Sequence, residues 1–251
     1  MSVAEAFERL APRYDELWTE SPAGRMQREA VWREILPLFQ PGERVLDLGC
    51  GTGAYAAYLA GAGLRVHAID IAPGMVGIAR QRENAHRITA EVLAIEELGR
   101  LIPSAKFDGA LANFGVVNCL RDSRAFAEDL ARLILPGGRL LLCPLGRFCL
   151  WETIWYLLHA RLGKAFRRLR RGGVETGLGF RVFYPSVAEI AQVFAPHFRL
   201  LRSQGVGVFV PPSYVKVAPR GLAALDRVVA GWPLFRSLGD HRLLVLVRTR
   251  S

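Results

Sequence analysis

Val45-Leu-Asp-Leu-Gly-Cys-Gly-Thr-Gly53 is the stretch on which the reading of this chain turns. Val45 to Leu48 is a mostly apolar run of the kind that forms a short buried strand. Gly49-x-Gly51-x-Gly53 is a turn, and Ala54 to Ala60 has the composition of a helix. Glycines let the backbone turn tightly and let a ligand approach with no Cβ in the way. A strand, a glycine turn and a helix N-terminus in succession make a site for a nucleotide derivative.

The residues around the turn bear on which nucleotide it is. Gly49, Gly51 and Ala54 satisfy the loose dinucleotide pattern G-x-G-x-x-G/A, a weak signal on its own. Asp47 argues against that pattern. Two positions before the first glycine, its carboxylate is expected to face the ligand, where it repels a pyrophosphate by about 1–4 kcal/mol per unit-charge pair and attracts an ammonium or sulfonium. Gly53 is a further close-approach position that the dinucleotide turn does not require. An NAD-dependent oxidoreductase is therefore the disfavoured alternative.

On these residues the chain resembles the class I S-adenosylmethionine-dependent methyltransferases, over roughly residues 7 to 145. The resemblance implies that Gly49, Cys50, Gly51 and Gly53 wrap the methionine part of S-adenosylmethionine, leaving S-adenosylhomocysteine as product, and that Asp47 meets its amino group directly or through water. Asp70 closes a second strand 21 residues after Gly49. It suits the two ribose hydroxyls, because an ionised carboxylate accepts two hydrogen bonds at once; capping the helix that begins near Pro73 is its other reading. Ile71 stands where the family packs an apolar side chain on adenine, and Met75 falls in the same set. Family members often place an acid after the third strand for the adenine amino group. Here that position is Ala94, with Glu96 two places later, so backbone near Ile95 is expected to serve. Tyr14, in Arg13-Tyr-Asp-Glu16, matches a tyrosine laid over the cofactor, or packs a helix. Asn113, after the fourth strand, is expected beside the methionine moiety.

A chain of 251 residues with 51% hydrophobic content is long enough for one large α/β domain, and nothing marks two independent cores. No apolar run reaches the 18 residues that a spanning helix needs. MSVAEAFERLAPRYDEL carries acids and no apolar stretch, so a secretory signal is not expected. Cys50, Cys119, Cys143 and Cys149 show no CxxC spacing, which favours free thiols in a reducing cytoplasm over a zinc site, and no metal is expected.

Strands are expected at 44–48, 64–69, 88–94, 107–112 and 138–143, alternating with helices at 54–61, 74–82 and 123–135. Such alternation indicates a Rossmann-like α/β fold, a mostly parallel sheet with helices on both faces. Pro136-Gly137-Gly138 is expected to separate a helix from a strand. A serine-capped helix over 188–194 precedes strands near 198–203 and 243–248, and the resemblance implies that the last is antiparallel and inserted beside the fifth. The chain is read as one domain over 1–251. Residues 1–40 form an N-terminal helical cap, and the stretches 146–183 and 207–239 are insertions over the active site, since connections this long usually act as lids or binding segments.

From Cys149 to Arg171, apolar residues including Trp151 and Trp155 recur at three- and four-residue spacing, which predicts one face of a helix about six turns long with Gly163 as its weak point. Arg161, Lys164, Arg167, Arg168, Arg170 and Arg171 fall opposite, within a net charge of +10. Three readings compete: a cover helix packed on the domain, a peripheral helix on an anionic membrane through 149–171, and a nucleic-acid contact. The last is disfavoured because Asn113-Phe-Gly-Val stands where base and amide methylating relatives carry Asn-Pro-Pro-Tyr.

Methyl transfer from a sulfonium draws most of its rate from holding acceptor and methyl in line, and a base is needed only if the acceptor loses a proton. His241 is the first candidate base, with a surface histidine as its other reading, and Tyr184 the second. Asn118, Trp151, Trp155 and His159 are candidates for contact with the acceptor, and Asn113 and Asn118 have the other reading of turn residues that bond their own backbone. The expected activity is methyl transfer to a small, largely apolar acceptor in a cytoplasmic or membrane-peripheral enzyme. An RNA methyltransferase using 161–171 and a non-enzymatic cofactor-binding protein are the alternatives. The sequence does not give the oligomeric state.

Overall fold

A computed structural model describes residues 1–102, 106–212 and 220–250. Its strands are β1 (Arg44–Leu48), β2 (Arg65–Asp70), β3 (Ile88–Val92), β4 (Phe107–Ala112), β5 (Ile134–Leu142), β6 (Val174–Glu175), β7 (Arg181–Val182), β8 (Phe198–Val206) and β9 (His241–Arg248). Its α-helices are α1 (Val3–Leu10), α2 (Pro22–Ile35), α3 (Ala54–Gly61), α4 (Pro73–Ala79), α5 (Arg124–Leu133), α6 (Leu150–Leu158), α7 (Leu162–Ala165), α8 (Val187–Phe194) and α9 (Arg220–Val229). One sheet runs β3-β2-β1-β4-β5-β9-β8, with β1 to β5 parallel and β9 antiparallel to both its neighbours. The fold is the Rossmann-like α/β sheet expected from the motif, with β9 inserted beside β5.

Side chains alternate across a strand, so each face of the sheet collects its own core. Leu46 and Leu48 of β1 join Phe107, Phe126, Leu130, Phe194 and Phe198 on the side covered by α5 and α8. Val45 points the other way, into Val31, Ile35, Tyr55, Leu59 and Val66 beneath α2 and α3. Asp47 shares the parity of Val45, which aims its carboxyl at the start of α3. The starts of α1, α2 and α8 follow from capping by Ser2, Ser21 and Ser186. Ser186 Oγ accepts the Glu189 N–H at 3.2 Å while Glu189 Oε2 accepts the Ser186 N–H at 2.6 Å, a reciprocal pair that satisfies two otherwise orphaned donors of α8.

Two expectations need correction. Pro136-Gly137-Gly138 lies inside β5 rather than between helix and strand: pairing jumps from Phe107↔Ile134 to Gly109↔Arg139, so the glycines form an irregularity that the strand carries along its length. The six-turn helix over 149–171 is not formed either. It breaks at Ala160, whose φ of +54° is left-handed, before Gly163 is reached. On one straight helix Glu152 and Arg168 would stand about 24 Å apart. Folded back, their side chains meet at 2.8 Å, and Thr153 Oγ1 donates to Ala165 O at 3.3 Å.

Part of the second insertion, residues 213–219, lies outside the described residues. No helix among the described residues is long and apolar enough to cross a membrane.

Candidate functional site

The glycine turn leaves β1 at the carboxyl edge of the sheet. Gly49 and Gly53 have φ of +62° and +80°, conformations that cost an L side chain about 1–2 kcal/mol. Space forbids a side chain as well: a Cβ on Gly53 would lie 2.8 Å from Ala79 Cβ, and one on Gly49 would lie 2.5 Å from Val116 Cγ2. Gly53→Ala is therefore expected to lose about 2–5 kcal/mol of stability, the sum of the backbone cost and an overpacking cost, read as a lower urea midpoint together with loss of cofactor binding. An unchanged midpoint would show that the turn relaxes freely.

Above the turn, the N-terminal segment is clasped down. Thr52 Oγ1 donates to Asp15 Oδ1 at 2.6 Å, Arg82 pairs with Asp15 Oδ2, and Arg82 Nε donates to Thr52 O at 2.7 Å. The clasp puts Tyr14 over Gly51, where a Cβ would lie 3.8 Å from Tyr14 Cε1. Burial, reinforced by the charges of Asp70 and Asp15, raises the Tyr14 phenol to about 12 and keeps it neutral.

Beneath this segment lies a cavity of about 620 Å³. Tyr14, Asp47, Gly49, Cys50, Gly51, Asp70, Ile71, Met75, Ile95 and Asn113 line it, and so do His241 and Tyr184. Glu96 also lines it, so an acid does reach the cavity two places after Ala94. Gly53 does not; as the residue that starts α3 and packs on Ala79, it shapes the turn from behind.

Seven of the nine buried side-chain polar atoms that have no hydrogen-bond partner among the described residues belong to residues lining this cavity: Arg28 Nε, Asp47 Oδ2, Tyr55 Oη, both amide atoms of Asn113, Arg168 Nε and His241 Nδ1. An unmet buried polar group costs about 1–3 kcal/mol. So many in one place identify a cavity whose walls are complementary to a polar ligand. Asp47, 2% exposed, is raised by burial and then by the neighbouring charge of Asp70 to about 7. Asp70 is also raised by burial, while its two oxygens accept the Gly51 and Ala72 N–H at 2.8 and 3.0 Å. Two buried carboxyls facing one cavity suit a ligand with a cationic group and hydroxyls. Arg28, stacked 5.1 Å from the Trp32 ring and 3.6 Å from Glu20, brings the opposite charge.

At another part of the wall the first insertion meets β9. Glu152, 1% exposed, is bound by Arg167 at 2.8 and 3.0 Å and by Arg168 at 2.8 Å, and Arg168 also binds Asp240 Oδ1 at 2.7 Å. Burial pushes the Glu152 carboxyl up, but its two arginines outweigh that and hold it below the usual range. His241 follows Asp240, its Nδ1 3.5 Å from Asp240 Oδ2 and its ring edge-on to Phe114 at 4.8 Å. Burial holds His241 below its ordinary value and outweighs the pull of Asp240, so the imidazole is neutral at pH 7. Because β9 is antiparallel, this histidine, its first residue, lies at the carboxyl edge, paired with Val206 and bridged to Leu145. Phe114, held at φ +49°, packs between His241 and Tyr55, and such strained backbone is concentrated at functional sites. Tyr184 lies under the Arg168 guanidinium at 5.5 Å.

Four expected acceptor contacts fall elsewhere. Asn118 is fully buried and staples the ends of the first insertion, accepting from Leu145 N at 2.8 Å and donating to Phe183 O at 2.6 Å. Trp151, Trp155 and His159 do not line the cavity. Trp151 Nε1 donates to Phe209 O at 2.8 Å, while Trp155 and His159 stack on each other on the outer surface at 4.4 Å. Their spacing placed them on one face, but α6 turns that face outward. Among the described residues no group of three or more His, Cys, Asp or Glu side chains is placed to hold a metal ion.

Sequence reasoning missed Arg28, Glu152, Asp240 and the Asp15–Thr52–Arg82 clasp as parts of the site. Arg28 had one local signal, its i,i+4 spacing to Trp32; the others join residues far apart in the chain.

Residues 45–138 match the model of a family described as a methyltransferase domain. The chain is 36% identical over 152 residues to the malonyl-[acyl-carrier protein] O-methyltransferase of Serratia marcescens, a match covering 60% of this chain and 55% of that protein. It is 34% identical over 160 residues to the demethylmenaquinone methyltransferase of Thermus thermophilus, covering 60% of this chain and 71% of that protein. The matched stretch thus spans little more than half of the Serratia relative. A solved structure with the same fold is the N-methyltransferase NodS from Bradyrhizobium japonicum in complex with S-adenosylhomocysteine. It is 15% identical, with TM-score 0.60, covering 99% of this chain and 98% of that one.

Proposed function

This chain belongs to the class I S-adenosylmethionine-dependent methyltransferases, and on that premise we propose that it transfers a methyl group to a small, largely apolar acceptor carrying one ionisable oxygen or nitrogen. The observation that carries the cofactor half is the cluster of unpartnered buried polar atoms at the glycine turn. Asp47 would meet the amino group, Arg28 the carboxylate and Asp70 the ribose hydroxyls. Ile71, Met75, Ile95 and Glu96 would surround the adenine, with Tyr14 as cover. Bound S-adenosylmethionine supplies a methyl group made electrophilic by its sulfonium charge.

The chain's own residues account for the rest. Phe7 of α1 packs on Phe180 of the insertion at 5.7 Å and closes an apolar wall that also includes Leu178 and Val182. That wall supports an apolar acceptor body, as does the demethylmenaquinone on which a relative acts. Neutral His241 takes the proton from the acceptor atom, and Asp240 beside its Nδ1 steadies the imidazolium that results. Tyr184, kept neutral by burial, donates a hydrogen bond to the acceptor. An RNA acceptor loses support because Arg167 and Arg168, two of the six cations in 161–171, are turned inward onto Glu152.

Radiolabelled methyl transfer to a panel of phenols, quinols, carboxylic acids and RNA tests the reading. Transfer is expected to the apolar acceptors; transfer to RNA alone would sink it. With a working acceptor, His241→Ala is expected to lower kcat by about 100-fold to 10,000-fold. The wild-type rate should be level at pH 7 and fall only below the ordinary histidine value of 6.5, because burial lowers this imidazole. If His241→Ala and Tyr184→Phe both turned over normally, proximity alone would account for the catalysis.

A further inference from the structure

The first insertion faces water the wrong way round, and apolar side chains of the second are exposed beside it. On α6 the polar Glu152 and Thr153 are buried while Ile154, Trp155, Leu157 and Leu158 are exposed, Leu158 by 79%. On α9 Asp226 is buried beside Val229 and accepts the Val208 and Phe209 N–H at 3.2 and 2.6 Å, while Leu225 and Val228 are exposed. Trp232 and Leu234, just beyond α9, are exposed too. A helix between a core and water turns its apolar side inward. The reversal of α6, with the exposed apolar side chains of α9 and of Trp232 and Leu234 in the same region, leaves a large apolar surface of the kind that marks an interaction site. The two helices are parts of one region: Leu150 N donates to Leu238 O at 2.9 Å, Trp151 Nε1 donates to Phe209 O, and the Phe235 ring packs on both Phe209 and Trp232.

Charge lies beside this surface. Arg161, Lys164, Arg170 and Arg171 are exposed, and none makes a salt bridge among the described residues. The first three line a shallow depression of about 430 Å³ whose lining includes a single acid, Glu175. A second copy of the chain or an apolar protein partner would leave these four cations unused. A surface that is apolar and anionic together would use both features.

We propose that the outer face of the two insertions docks on a bilayer rich in anionic lipid headgroups, with Leu158, Leu162 and Trp232 entering the acyl boundary and the four cations meeting the headgroup phosphates. The inner face of the same insertions contributes Glu152, Arg168 and Pro212 to the cavity wall, so an apolar acceptor dissolved in the bilayer would have the shortest path to the site. That last step rests on the acceptor reading above; the docking itself does not.

Flotation with vesicles of phosphatidylcholine, alone or mixed in equal parts with phosphatidylglycerol, tests it. The protein should float with the mixed vesicles, less so as salt is raised, and remain largely free with phosphatidylcholine. Each basic side chain contributes about fivefold to binding, so replacing Arg161, Lys164, Arg170 and Arg171 together by Gln should weaken it by about two orders of magnitude or more. Leu158→Glu combined with Leu162→Glu should also release the protein. Both variants should keep wild-type affinity for S-adenosylhomocysteine, which shows that they are folded and keeps a failure of docking distinct from a failure of the cofactor reading. Wild-type protein that stays off both kinds of vesicle would overturn the proposal. So would a lipid-free dimer that the two glutamates dissociate, since the face would then belong to a second copy.

Discussion

Arg168→Ala is expected to lower the unfolding free energy by about 3–5 kcal/mol, the usual cost of removing one partner from a buried ion pair. One guanidinium ties three parts of the chain. Nη1 donates to Gly146 O and Asp240 O at 3.3 and 3.0 Å, and Nη2 binds Glu152 Oε2 and Asp240 Oδ1. Glu152 keeps Arg167 when Arg168 is removed, whereas the Asp240 carboxylate, 6% exposed, keeps only 3.5 Å contacts to Gln27 and to the uncharged His241 ring. His241 cannot replace the lost charge because burial keeps it neutral at pH 7. Arg168→Lys should recover little, since a single ammonium cannot present the planar fork these four bonds use. The pH dependence follows from the direction of the shifts. Asp240 and Glu152 are both held below the ordinary carboxylate range despite burial. Their contribution is therefore present above about pH 4 and is lost as pH falls through their lower folded values. A urea midpoint for Arg168→Ala within about 1 kcal/mol of wild type would mean that the insertion is held by its apolar contacts alone.

Asp47→Asn is expected to act in opposite directions on the empty and the filled protein. Burial holds the folded carboxyl near 7 against an ordinary value of 3.8, so the folded chain binds more protons than the unfolded one between those values. Stability without ligand is therefore fullest below about pH 4 and declines as pH rises through 7, by roughly 4 kcal/mol at about 1.4 kcal/mol per unit. Asn has no charge to bury, so at pH 8 the variant should melt higher than wild type when empty. A ligand ammonium reverses the preference by pairing with the ionised carboxylate. S-adenosylhomocysteine should bind wild type about tenfold more tightly at pH 8 than at pH 6 with release of a proton, and should bind the Asn variant about 100-fold more weakly with no such pH dependence. Calorimetry in buffers of different ionisation enthalpy reads the proton directly. Binding independent of pH in wild type would remove Asp47 from contact with the ammonium.

The sheet and the glycine-turn side of the cavity were legible because their signals are local. Asp47, the glycines and Asp70 lie within one strand-turn-helix-strand unit, where spacing along the chain fixes spacing in space. The acceptor side was less so. Periodicity over 149–171 identified a face but not which side of it would be inside, and Ala160 carries no sequence mark of a left-handed break. What turns α6 over is the demand of Glu152 for two arginines and of Arg168 for Asp240, partners separated by up to 72 positions. Asn118 was left open for a related reason: an asparagine after a strand can face a ligand or bond backbone, and the backbone it bonds, at Leu145 and Phe183, is distant in sequence.

The antiparallel seat of β9 has a further consequence. Val206 and His241 are paired across two adjacent strands, so the whole stretch between them leaves and re-enters the sheet at neighbouring points. Closing such a loop costs entropy that grows only with the logarithm of its length, about 0.6 kcal/mol for each doubling. The sheet is thus nearly indifferent to how much chain is hung there. A wall of the cavity can be lengthened, shortened or exchanged for that of a relative at little energetic cost, while the strands that hold the glycine turn keep their register.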